Sequence, residues 1–241
     1  MQVQTIKVMV TYMITRLILF DIDGTLLMSK GIGRESKRRA MLEYFGEVGD
    51  LDNHVFGGKT DWFTLVELLE SFGKTSEDIG RELPIFEEIM ARHMNELRDQ
   101  FVADPIPHAM ELVNCLRERE DTMIGLVTGN MSKTAPIKLE MAGYDPAWFS
   151  VGAYGNESPD RNELPRLAIE RAEALTGTTF TGDQVIVIGD TVADIDAARA
   201  VDATSVAVCT GFVHRDKLIC KDPDFLLADL STFVDLIMDE T

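Results

Sequence analysis

Cysteine is scarce in this chain of 241 residues, and cations are outnumbered: there are three Cys, and 23 Lys and Arg against 41 Asp and Glu, for a net charge of −18. An odd, sparse set of thiols does not make a disulfide framework, so Cys115, Cys209 and Cys220 predict reduced thiols and a cytoplasmic setting. The acidic balance argues against a nucleic-acid partner, because affinity for polyphosphate rests on clustered cations. No apolar run approaches the ~20 residues of a membrane span, so no membrane partner is expected. His54, His93, His108 and His214 show no metal-ligand spacing, and the chain has neither an internal repeat nor a low-complexity tract.

Three apolar strands end in chemistry. The run Leu17-Ile18-Leu19-Phe20 enters Asp21-Ile22-Asp23-Gly24-Thr25. Such a run reads as a strand buried on both faces of a parallel sheet, and open α/β sheets bind ligands beyond the carboxyl ends of their strands. Alternation along the strand points both carboxylates to one side, and Gly24 turns the chain. Two acids in one small volume repel unless a cation neutralises them. The pair therefore predicts a bound metal, or a split between proton donor and nucleophile, with a plain Asp-Gly turn as the structural alternative. Thr122 to Val127 leads into Thr128-Gly129-Asn130-Met131-Ser132. Backbone N–H groups, a hydroxyl and a helix start suit an anion there, or Ser132 simply caps the helix. Gln184 to Ile188 leads into Gly189-Asp190, with Asp194 four residues on, which suits either a metal ligand or an acid-stabilised helix start. The loop Ser158 to Arg166 carries Arg161 and Arg166, each of which alone reads as a solvated surface side chain.

The remaining pattern sets the architecture. Gly33 to Phe101 lacks strand alternation and predicts helices over Arg34 to Val48, Asp61 to Phe72 and Ser76 to Phe101, with a break at Pro84. Asp104-Pro105-Ile106-Pro107 marks a return to the core. Helices at His108 to Glu118, Ser132 to Met141, Asn162 to Leu175, Val192 to Val201 and Leu230 to Met238 alternate with strands at Thr122 to Val127, Phe149 to Ala153, Gln184 to Ile188, Thr204 to Val208 and Phe225 to Leu227. Alternation of this kind predicts a doubly wound, Rossmann-like parallel α/β core. The boundaries expected are a core at 13–30 and 103–241 with a helical cap at 31–102 inserted after the first strand.

The order Asp-Ile-Asp-Gly-Thr, Thr128 after a strand, a basic residue, then Gly-Asp with a further Asp resembles the haloacid dehalogenase-like hydrolases, and among them the phosphoglycolate phosphatase-like enzymes with a helical cap. The resemblance runs from about Met13, where family members begin, so residues 1–12 read as an N-terminal extension without a cleavage pattern. It implies a Mg²⁺-dependent hydrolase that cleaves a phosphate monoester of a small phosphorylated metabolite. Asp21 would be the nucleophile that forms an aspartyl phosphate, and Asp23 the acid and base. Asp21, the Asp23 carbonyl and Asp190 would hold Mg²⁺, with Asp194 supporting. Thr128, Gly129 and Asn130 would bind the phosphoryl oxygens. The family's basic residue is commonly lysine, but this chain has no lysine between Lys138 and Lys217. Arg161 stands midway between Thr128 and Asp190 and takes that place, with Arg166 the competing choice. Within Gly57-Gly58-Lys59-Thr60-Asp61, Lys59 and Asp61 would read the leaving group, unless the stretch is only a helix start. Phosphomutase or phosphonatase chemistry is the near alternative, the latter through a Schiff base on Lys59; a phosphate-accepting receiver module is the non-enzymatic one.

Overall fold

The computed structural model describes residues 13–233. The expected extension at residues 1–12, and most of the helix expected over Leu230 to Met238, lie outside the described residues.

In chain order the elements are β1 (Arg16–Phe20), β2 (Leu27–Met28), α1 (Ile32–Tyr44), α2 (Asp61–Leu69), α3 (Ser76–Leu97) and β3 (Asp104–Pro105). Then follow α4 (Ala109–Arg117), β4 (Thr122–Thr128), α5 (Ala135–Met141), β5 (Val151–Tyr154) and α6 (Leu164–Thr176). The chain continues through β6 (Val185–Gly189), α7 (Val192–Arg199), β7 (Thr204–Val208), α8 (Arg215–Ile219) and β8 (Phe225–Leu227). Six strands form one parallel sheet in the order β5-β4-β1-β6-β7-β8. The protein is thus a doubly wound α/β fold. Winding departs from β1 in both directions, with Phe20 in register with Leu126 on one side and Ile188 on the other. That places the crevice of the topological switch at the end of β1, beside Asp21.

Alternation within each strand fills both faces of the sheet. Ile18, Phe20, Ile124, Leu126, Ile186 and Ile188 pack toward Leu112 and Leu116 of α4 and Leu139 of α5. Leu17, Leu19, Met123, Val127, Val185 and Val187 pack toward Leu164, Ala168 and Ala172 of α6 and Ala198 of α7. Each such aliphatic side chain contributes roughly 1.5–3 kcal/mol on full burial, which explains why these strands carry almost no polar residue. Between β2 and β3 the helices α1, α2 and α3 enclose a separate apolar cluster. On α3 it takes Ile79, Leu83, Phe86, Met90, Met94 and Leu97, spaced three and four apart. The short antiparallel pair β2 and β3, not foreseen in the sequence, ties together the chain leaving for these helices and the chain returning.

Three helix expectations need correction. Pro84 does not break α3, because it lies on the exposed side and the apolar stripe continues on the opposite one. α1 stops at Tyr44 rather than Val48, where Phe45 and Gly46 both donate back to Met41 O and turn the chain. α5 starts at Ala135, and Ser132 is not its cap: the Ser132 N–H donates to Asn156 Oδ1 and its hydroxyl to Glu87. α8 was also unanticipated. Among the described residues no helix is long and apolar enough to cross a membrane.

Candidate active site

Asp21 leaves β1 with its N–H on Ile188 O at 2.9 Å, so the sheet ladder fixes its backbone. The chain then turns at Gly24, whose φ of +90° and proximity to Asp190 both exclude a side chain: a Cβ there would lie 2.5 Å from Asp190 Cγ. Asp190 follows β6, and Asp194 sits one turn into α7. Asp194 completes a capping box, its Oδ2 accepting from Thr191 N at 2.9 Å and Thr191 Oγ1 at 2.7 Å. Arg161, in the single 3₁₀ turn Arg161–Glu163 before α6, is buried and reaches the same point. Its Nη2 lies 2.9 Å from Asp21 Oδ1 and 2.6 Å from Asp194 Oδ1. Arg166 lies on the exposed side of α6, paired with Glu163 and Glu170.

Arg161 therefore pairs with two buried carboxylates, Asp21 and Asp194, beside a third, Asp190. Burial pushes the Asp21 carboxyl up to about 6, against the pull of Arg161 and with Asp194 and Asp23 adding to the rise. Burial also pushes Asp190 up, to about 9, with Asp194 and Asp21 adding. Burial opposes the Arg161 charge, but Asp194 and Asp21 outweigh it and hold the guanidinium protonated. Asp21, Asp190 and Asp194 each offer an oxygen, all within 4.8 Å of one another, and Asp190 Oδ1 is buried with no partner among the described residues. A compact all-oxygen donor set with an unsatisfied lone pair fits a hard cation.

β4 brings Thr128 to the same rim. Its hydroxyl accepts from Asn130 N at 3.3 Å and Asn130 Nδ2 at 2.8 Å, which leaves its own proton for an anion. Asp23 stands across from it and accepts from Ser29 Oγ at 2.6 Å, Asn130 Nδ2 at 2.8 Å and Lys138 Nζ at 2.6 Å. Burial favours the neutral Asp23 carboxyl, but Lys138 together with Ser29 and Asn130 holds it below the ordinary carboxylate value. Asp21, Asp23, Thr128, Gly129, Asn130, Arg161 and Asp190 all line one cavity of about 310 Å³, whose wall also takes Arg34 and Lys37 of α1 and residues 56–59 with Asp61.

Lys59 and Asp61 also reach this cavity, but each is engaged. Lys59 Nζ is 2.6 Å from Glu67. Thr60, not Asp61, caps α2, accepting from Phe63 N. The Asp61 carboxylate takes the buried Lys37 Nζ on one oxygen and Met131 N, at 3.1 Å, on the other. The backbones of Asp61 and Trp62 donate to Gly129 O and Gly155 O at 2.8 and 2.9 Å. Glycine is required at that seam, since a Cβ on Gly155 would lie 1.8 Å from Gly129 O and one on Gly129 would lie 2.1 Å from Lys59 O.

Lys138, Lys37 and Ser29 were missed. The sole cue in the sequence was a lysine between Ile137 and Leu139, on a helix whose inner positions are otherwise apolar.

A family model described as "haloacid dehalogenase-like hydrolase" matches residues 15–202. Pyrophosphatase PpaX of Listeria welshimeri is 25% identical over 229 residues, covering 92% of this chain and 96% of that protein. Phosphoglycolate phosphatase of Vibrio cholerae is 24% identical over 230 residues, covering 92% and 97%. The crystal structure of a hydrolase from Pseudomonas syringae superposes with a TM-score of 0.65 at 25% identity, over 94% of this chain and 98% of that one. With the family model spanning most of the chain and the Asp21, Thr128, Arg161 and Asp190 positions meeting at one crevice, the protein belongs to the haloacid dehalogenase-like hydrolases.

Proposed function

We propose that this hydrolase is a Mg²⁺-dependent phosphohydrolase of a small phosphorylated metabolite, working through an aspartyl phosphate on Asp21. One observation carries the reading: the buried Arg161 Nε and the buried Asp190 Oδ1, a donor and an acceptor beside Asp21, both lack partners among the described residues. A phosphoryl oxygen answers the first and a cation the second. Asp21, the Asp23 carbonyl and Asp190 hold Mg²⁺, which supplies charge neutralisation for the phosphoryl oxygens when bound. The Asp21 carboxylate attacks phosphorus in line and the bond to the leaving oxygen breaks. Thr128, Gly129 and Asn130 with Arg161 hold the phosphoryl oxygens. Asp23 gives the leaving oxygen its proton and then takes one from the water that attacks phosphorus; the bond from phosphorus to Asp21 breaks, which releases phosphate and restores Asp21. The helices at 31–102 act as a cap that excludes water, and Lys59 at its edge reads the leaving group.

A second substrate reading draws on Asp23. Three donors, one of them the Lys138 cation, keep it ionised, which suits a leaving group that departs without a proton. A phosphoanhydride such as pyrophosphate meets that condition better than an alkyl ester, in keeping with the name carried by the Listeria relative. Lys59 is ion-paired with Glu67, which does not favour the Schiff-base route to phosphonate cleavage.

The test is phosphate release from pyrophosphate, phosphoglycolate, sugar phosphates and an aryl phosphate, with Mg²⁺ and with chelator. Release that requires the cation and is abolished in Asp21→Asn is expected. Full activity in excess chelator, or in Asp21→Asn, overturns the reading.

A further inference from the structure

The Asp23 carboxylate is one-third exposed, and its backbone sits at an isolated β-bridge to Leu27, outside the strands of the main sheet and the helices. Its aim therefore depends on its partners. Ser29 fixes Oδ1, while Asn130 and Lys138 share Oδ2. Lys138 comes from α5, more than a hundred residues away in sequence, and its side chain is only 6% exposed. Its Nζ makes a second bond, to Asn130 Oδ1 at 2.7 Å.

That second bond has a directional consequence. An ammonium only donates, so the oxygen end of the Asn130 amide must face Lys138. The NH₂ end is then turned to Asp23 Oδ2 and Thr128 Oγ1, both at 2.8 Å. Without the ammonium the amide oxygen loses this partner, and the bonds from its NH₂ to Asp23 and Thr128 are left to hold the group in place. Gly33, in the first turn of α1, leaves room for this arrangement, since a Cβ there would lie 3.2 Å from Nζ.

We infer that Lys138 is a positioning residue for Asp23, fixing the carboxylate directly and again through the Asn130 amide. The inference rests on the phosphohydrolase reading and extends it to a residue outside the family's motif positions. Among the described residues the partners of the Lys138 ammonium are the Asp23 carboxylate and the Asn130 amide oxygen. The ammonium acts on the group that moves the proton.

The experiment compares Lys138→Met and Lys138→Arg in the wild-type and Asp23→Asn backgrounds, following hydrolysis of an aryl phosphate with Mg²⁺. Lys138→Met should lower kcat by about 10²-fold, the order of loss for a displaced catalytic group, with KM little changed. Lys138→Arg should recover part of it, because the charge is kept while the donor geometry changes. In the Asp23→Asn background Lys138→Met should have no further effect, as expected for residues acting as one unit. Wild-type kcat in Lys138→Met, or the same fold-loss in both backgrounds, overturns the inference while leaving the phosphohydrolase reading intact. Absence of phosphate release by the wild-type protein overturns both. If Lys138→Met lacks a cooperative unfolding transition, Lys138→Gln in the same two backgrounds carries the comparison.

Discussion

Arg161 is the residue on which the charge balance of the site turns, because among the described residues it alone offsets Asp21 and Asp194 by an ion pair. Arg161→Ala should lower turnover by about 10²-fold or more, the usual cost of losing a preorganised electrostatic group, and Arg161→Lys should restore part of it. Arg166→Ala removes only exposed pairs with Glu163 and Glu170, so its stability should stay within about 0.5 kcal/mol of wild type and its kcat unchanged. Steady-state kinetics on the three variants separates the two arginines: an essential Arg166 beside a silent Arg161 would reverse the assignment. At this scale the sequence was readable wherever a side chain ends an apolar strand, as Asp21, Thr128 and Asp190 do. It was unreadable where a side chain arrives from elsewhere. Lys138 and Lys37 look like ordinary helix lysines until the fold carries them to the wall of the cavity.

Among the elements, α2 is held by its own first turn. Its leading N–H groups, ordinarily unsatisfied or open to an anion, donate instead to Gly129 O and Gly155 O, and the Thr60 hydroxyl donates to Pro159 O. Asp61 joins α2, α1 and the loop after β4 through Lys37 and Met131. Burial favours the neutral amine of Lys37, and Asp61 opposes this. Asp61→Ala should therefore strand a buried charge and cost about 3–5 kcal/mol. Lys37→Met should cost less, because the Met131 N–H still satisfies Asp61. Denaturant unfolding gives the order of the two losses, and the reverse order would refute Asp61 as the fastening of the helices to the core. Strands at Thr204 to Val208 and Phe225 to Leu227 were legible to the residue, since burial dictates their apolar runs. The start of α5 was not, because residues 130–134 are shaped by Asp61, Asn156 and Glu87, none of them neighbours in sequence.

For the whole molecule, a net charge of −18 surrounds a buried cluster that is itself short of positive charge. The folded Asp21 and Asp190 carboxyls sit at about 6 and about 9, above the ordinary value of 3.8. A raised acid binds its proton more tightly when folded. The stabilisation is fully present below the unfolded value and is lost as pH rises through the folded ones. In chelator, then, Tm should fall as pH is raised from about 5.5 to about 8.5. A divalent cation needs the same carboxylates deprotonated, so the rise in Tm on adding Mg²⁺ should be larger at the alkaline end. Surface self-repulsion gives a dependence of the same sign, but salt screens exposed charges far more than a buried cluster. Asp190→Asn separates the two. It removes the most strongly shifted carboxylate, so in chelator at alkaline pH and high salt it should raise Tm by at least ~2–4 °C, the shift that ~1 kcal/mol gives in a domain of this size. The same variant should lose most of the Mg²⁺ increment and require more Mg²⁺ for activity. Calorimetry that finds Asp190→Asn no more stable than wild type in chelator, with the full Mg²⁺ increment kept, would remove Asp190 from the cation site and leave the three-carboxylate cluster without its function.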